Sequence, residues 1–181
     1  MHEKGLTKHL KPIKKEYISL IKSIKTLLEQ GRRQAYNSVN IILVKTYWEI
    51  GKNIVEYEQA GKERAEYGSA LLDNLSRDLA EQFGKGFSRD NLEKMRKFYY
   101  LFKNSETLSR KLSWSHYCLL LRMENDLARQ FYFIESEKES WSVRELDRQI
   151  NSMLFERIGL SNDKNKLIKI SKKGQIIETP K

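Results

Sequence analysis

Only two prolines, Pro12 and Pro180, interrupt this chain of 181 residues, and its nine glycines are thinly spread. A sheet-rich fold needs turn residues at the end of every strand, so this supply points to helices joined by few turns. The apolar residues agree. Ile41, Val44, Trp48, Gly51 and Val55 follow a 3–4–3–4 rhythm and mark one face of a helix expected over 32–58. Gly51 on that face permits the close approach of a neighbour. A shorter helix is expected over 16–30, with Gly31 as the interruption between the two.

The 60–68 stretch is polar and glycine-bounded and reads as a loop or a weak helical turn. Ser69 opens a helix over 69–83 with Leu72, Leu75, Leu79 and Phe83 on its stripe. The GKG run at 84–86 stops it and turns the chain. Ser88 caps the next helix, 88–102, and Asp90 places negative charge in its first turn. Ser113 or Ser115 starts a helix bearing Tyr117, Leu120, Leu121, Met123, Leu127 and Phe131, which ends in the polar 134–140 stretch. Ser142 and Glu145 match the capping-box pattern. They open a helix with Val143, Leu146, Ile150, Met153 and Leu154 as its stripe and Gly159 as its C-cap. Trp114, Tyr117 and Trp141 read as core aromatics that lock helix packing. The expected fold class is all-α, mainly helical, with a helix-turn-helix-like core and a small β wing near 103–115 or in the tail. The expected organisation is a flexible basic arm over 1–15, a helical domain over 16–160, and a basic tail or linker over 161–181.

Formal net charge is +10, with a pI near 9.6. That balance favours acidic partners, nucleic acid or an anionic surface, without choosing between them. The first ten residues lack the apolar core of a signal peptide, and no apolar run is long enough to cross a bilayer. The single cysteine, Cys118, excludes an internal disulfide and reads as a buried thiol. The expectation is a cytoplasmic protein with no membrane partner.

The segment GFSRDNLEKMRKFYYLF, 86–102, follows the 84–87 turn as the second helix of a helix-turn-helix candidate. Leu92, Met95, Tyr99 and Phe102 form its packing side. Asp90, Glu93, Lys94 and Lys97 lie opposite, flanked by Arg89 and Tyr100, with Arg96 and Lys103 at the margin. Long cationic side chains on such a helix reach phosphates or base edges. Ser88 and the free N–H groups of the first turn suit a phosphate. The same letters also describe a solvated face braced by pairs such as Glu93 with Lys97. In WSVRELDRQI, 141–150, Arg144 and Arg148 stand one turn apart, suited to a phosphate clamp or to pairing with carboxylates.

Catalytic constellations are missing from these residues. A divalent-metal nuclease needs clustered carboxylates and often a lysine. No Asp or Glu here begins a [DE]-x-K tripeptide, and Asp73 and Asp78 do not share a helix face. His2 and His9 fall in the arm, where such a pair binds metal only weakly. His116 stands alone, so no zinc site is expected, and no phosphate-loop motif occurs. The expectation is no cofactor, no metal and no catalytic residue.

The ordered segments NSVNIILVKTYWEIGKNIVEYEQAGKERAEYG, LLDNLSRDLAEQFGKGFSRDNLEKMRKFYYLF, LSWSHYCLLLR and RQFYFIESEKESWSVRELDRQINSMLFERIGLS resemble the N-terminal domain of the DUF1016 family, the YhcG-like nucleases. The resemblance covers roughly 35–161. It implies a helical, helix-turn-helix-like module, covalently linked in full-length relatives to a PD-(D/E)xK nuclease domain. The acidic residues and lysine of that domain have no counterparts here. Two readings stand. In the first, the chain is a non-catalytic DNA-binding module, with Arg89, Lys94, Arg96 and Lys97 at phosphates or groove edges. The basic arm adds counterion-release affinity, and Arg144 and Arg148 make a second contact. In the second, it is an assembly module whose 32–58 and 142–158 helices form a homodimer or dock another subunit.

Overall fold

A computed structural model describes residues 7–59 and 65–160, with side chains at 14–59 and 70–160. Seven α-helices follow one another among the described residues: α1 Thr7–Gln59, α2 Ala65–Phe83, α3 Arg89–Leu101, α4 Trp114–Leu120, α5 Asp126–Lys138, α6 Val143–Asn151 and α7 Leu154–Leu160. The all-α class holds. No strand occurs among the described residues, and 103–115, where a wing was expected, is a 3-10 turn (Ser105–Thr107) and irregular chain that leads into the start of α4 at Trp114.

Several boundaries differ from the letters. α1 runs through Gly31 without a break, so the two helices expected over 16–30 and 32–58 are one. A single glycine costs a helix only about 1 kcal/mol, too little to stop a long one. The arm expected over 1–15 is already helical from Thr7, while 1–6 and the 161–181 tail lie outside the described residues. α2 starts at Ala65, ahead of Ser69. The helix expected after Ser113 is two helices, because Asn125 caps a new start by accepting the N–H groups of Leu127 and Ala128 at 2.9 and 3.2 Å. That new helix continues through most of the polar 134–140 stretch. The helix expected over 142–158 is also two. Met153 between them takes a φ of 53°, and Gly159 lies inside α7.

Contact density divides the chain into two units, Met1–Val39 and Asn40–Lys181. In the first, every described side chain, 14–39, is exposed. The second holds the core. Its larger cluster gathers Val44, Trp48, Phe98, Tyr117, Leu120, Phe131, Tyr132, Leu146 and Phe155. A smaller cluster joins Ile54, Leu72, Leu92 and Met95. Rings bind the larger one: Phe98 lies 4.7 Å from Tyr117 and 5.4 Å from Trp114, at tilted or edge-on angles that aromatic quadrupoles favour. The indole of Trp48 donates to the Phe102 carbonyl at 2.5 Å, satisfying the acceptor at the C-cap of α3. The Tyr132 hydroxyl accepts the Phe155 amide at 3.1 Å and donates to the Gln149 carbonyl at 3.2 Å, stitching α5 to α6 and α7.

α1 packs closely on α3 at Gly51. A Cβ on Gly51 would overlap the Met95 carbonyl oxygen and come within 2.7 Å of its carbonyl carbon. Both obstacles are backbone, so no side chain can swing aside. Gly51→Ala is therefore expected to destabilise the fold by roughly 3 kcal/mol, at the upper end of overpacking costs and despite alanine's better helix propensity. Urea unfolding followed by tryptophan fluorescence checks this, and an unchanged midpoint would contradict the close packing.

Candidate nucleic-acid interface

α2 and α3 are joined by Gly84 and the 3-10 turn Lys85–Phe87. Gly84 has φ +84°, a conformation that glycine adopts without steric cost. Ser88 then caps α3, its hydroxyl accepting the Asn91 amide at 3.3 Å. Asn91 ties the turn to the core: its side chain donates to the Gly86 carbonyl at 2.5 Å and accepts from the Trp114 indole at 3.2 Å. These bonds fix the start of α3. Leu92, Met95 and Phe98 are its buried side, with Tyr99 and Phe102 half-buried beside them. Arg89, Asp90, Glu93, Lys97 and Tyr100 face solvent.

The cations expected on α3 separate into two kinds. Arg89 reaches back to Asp73 of α2 at 3.0 Å and along its own helix to Glu93 at 3.9 Å. Arg96 binds Glu58 of α1 at 2.8 Å and Glu93 at 3.6 Å. Both arginines therefore brace α3 against its neighbours, and Glu93 lies between two guanidinium groups. Lys94 and Lys97 form no ion pair with a described carboxylate. Lys94 is half-buried, with its stem suited to covering core and its ammonium to reaching solvent. Burial pushes the Cys118 thiol up in pKa, opposed by the positive charges of Lys94 and Arg122. Lys94, on α3, and Arg122, in the α4–α5 turn, each lie within electrostatic reach of Cys118. Arg122 was not singled out in the sequence, where a continuous helix was expected. The break at Asn125 leaves it exposed in the turn.

On α6, Arg148 grips Glu145 with two hydrogen bonds, 3.1 and 2.6 Å, and Gln149 adds a third at 2.7 Å. Those bonds lower the Glu145 pKa and raise that of Arg148. The capping box is consequently half-formed: Ser142 accepts the Glu145 amide at 3.2 Å, while the Glu145 carboxylate is turned to Arg148. Arg144 is exposed and has no ion pair with a described residue. No hydrogen bond or ion pair among the described residues joins the α3 cations to those of α6.

The DUF1016 N-terminal domain family matches residues 23–157 of the chain. The chain belongs to that family. A curated relative named "Putative nuclease YhcG", from Escherichia coli (strain K12), is 37% identical over 174 residues. The match takes in 78% of this chain and 46% of the relative, so the chain spans about half the length of the protein it resembles. No solved structure matches it. Among the described residues, no group of three His, Cys, Asp or Glu side chains converges as a metal-holding set, and no helix is long and apolar enough to cross a membrane.

One contact in this DUF1016 domain has the look of a nucleophile–base pair. Ser113 Oγ lies 2.8 Å from His116 Nδ1. The remaining bonds identify it as a helix cap. Nδ1 accepts the Ser113 backbone N–H at 3.1 Å, so the ring proton sits on Nε2, which donates to the Trp141 carbonyl at 3.0 Å. Both nitrogens are engaged, and the neutral ring ties the start of α4 to the loop before α6. Burial lowers the His116 pKa, partly offset by the Trp141 carbonyl. The folded state therefore binds its proton less readily than the unfolded chain, and stability rises with pH through this window. The contribution is fully present above the ordinary value of 6.5 and is lost as pH falls through the depressed folded value. Urea unfolding at pH 7.5, 6.5 and 5.5 is expected to show this decline, and His116→Asn is expected to flatten it.

Proposed function

We propose that this chain is the non-catalytic, DNA-contacting module of a YhcG-like nuclease. Its α2–turn–α3 pair acts as the helix-turn-helix element. The observation that carries the reading is the division of charge on α3. Exposed carboxylates beside a phosphate backbone would repel it. Here Arg89 bridges Asp73 and Glu93, and Arg96 bridges Glu58 and Glu93, while Asp90 stays without an ion pair among the described residues in the first turn of α3, where the helix dipole favours it. Lys94 and Lys97, with the exposed Arg122 of the α4–α5 turn, are left to meet phosphates, in a chain of net charge +10.

In this reading Lys94, Lys97 and Arg122 contact the backbone, which positions the protein without reading sequence. Arg144 supplies a further contact. Arg89, Arg96 and Arg148 are engaged with carboxylates. The reading includes the cytoplasmic location expected from the sequence. A relative named as a nuclease supports nucleic acid as the partner.

The test is duplex-DNA binding by fluorescence anisotropy at 0.1 M salt. Lys94→Glu combined with Lys97→Glu is expected to weaken binding about tenfold per lost phosphate contact, uniformly across sequences. Arg148→Gln is expected to change it little. Unchanged affinity in the double variant, with its circular dichroism intact, would refute the placement on α3.

A further inference from the structure

The first unit has a face that nothing in the described structure covers. Tyr17, Leu20, Ile21, Ile24, Leu27 and Leu28 recur at three- and four-residue intervals along α1. On a helix this spacing gathers them in a stripe about 120° wide. Gly31, Ala35 and Val39 continue it. All six are exposed, from 43% at Ile24 to 67% at Leu27. Ser19, Lys22, Thr26 and Gln30 lie on the other side, as an amphipathic helix requires.

Such a face is costly in water. With Val39, the six present on the order of 700 Å² of apolar side-chain surface, above what monomeric proteins usually expose in one patch. It is also close to the roughly 800 Å² per partner that a specific protein interface buries. The stripe is wider than a strict two-in-seven seam, which suits broad helix-on-helix packing.

The two edges of the stripe differ in charge. Lys14, Lys25 and Arg32 border one edge, and Lys25 is only partly offset by Glu29 at 3.8 Å. Glu16, Ser23 and Gln34 border the other. When two copies of one helix pair antiparallel, like edges meet, and here basic would face basic. When they pair parallel, unlike edges meet, and the basic edge faces the one carrying Glu16.

We propose that the 17–39 face of α1 is a homodimer interface, occupied by the same face of a second copy in parallel register. It is independent of the DNA-contacting reading, since it uses none of Lys94, Lys97 or Arg122.

Sedimentation equilibrium of the full chain over a hundredfold concentration range tests the proposal. The expected mass is twice the 21.5 kDa of one chain at the upper concentrations. Ile24→Glu combined with Leu28→Glu is expected to return it to the single-chain value. Both side chains are exposed in one copy, so the 40–160 fold should persist, and its unfolding midpoint serves as the control. A single-chain mass for the wild type throughout would overturn the proposal. So would a dimer that survives both substitutions, or association appearing only with an added partner helix or lipid vesicle. Orientation is read separately in a Cys118→Ser background. Tyr17→Cys should cross-link to itself under mild oxidation if the helices are parallel. Its failure to do so in a confirmed dimer would overturn the parallel register.

Discussion

The backbone of α3 lies directly against Gly51 of α1, and much of the second unit follows from that contact. Only a residue without a side chain allows the two helix backbones to come so near. Once they do, Trp48 reaches the Phe102 carbonyl at the end of α3, and Glu58 reaches Arg96 on its flank. Leu92 and Met95 are pressed into the smaller core cluster, while Phe98 enters the larger one. The side of α3 that remains outside is therefore fixed by packing, before any charge on it is considered.

That packing decides which cations are available to a ligand. Arg89 and Arg96 sit where neighbouring helices offer Asp73 and Glu58, and the pairing both braces α3 and screens Glu93. The exposed pairs of Arg89 add little stability, on the order of 0–1 kcal/mol each, while Arg96–Glu58 is part-buried. Their larger effect is on the local field. They offset part of the negative charge of Asp73, Glu58 and Glu93, and leave without ion pairs among the described residues both Asp90 and the lysine ammonium groups, whose strong hydration and flexible stems suit non-specific phosphate contact in the proposed reading.

Much of this was legible in the letters, and the exceptions have physical causes. The Val44–Val55 part of the expected stripe, the close approach at Gly51, the GKG turn, the Ser88 cap and the Ser142 cap depend on local chemistry, and each is present, while Ile41 at the head of the stripe is exposed. Helix breaks at 121–125 and at Met153 were missed because the apolar rhythm continues across them. There a side-chain cap at Asn125 and a left-handed residue at Met153 override periodicity. The α3 cations were legible as residues on a face, but their pairing was not, since Asp73 and Glu58 come from other helices. Arg122 needed the α4–α5 break to be noticed. The apolar stripe over 17–39 was not read from the sequence, where only a helix over 16–30 was expected; its uniform exposure among the described residues is what marks it.

The central claim is that unpaired cations on α3 and beside it meet a phosphate backbone. Its most direct measurement is the affinity of the wild-type chain for duplex DNA as a function of salt. Three or four phosphate contacts predict that the logarithm of the association constant falls linearly with the logarithm of salt, with a slope of about −3. A slope near zero, or no saturable binding even at low salt, would contradict the claim and leave the positive charge without a role in DNA contact.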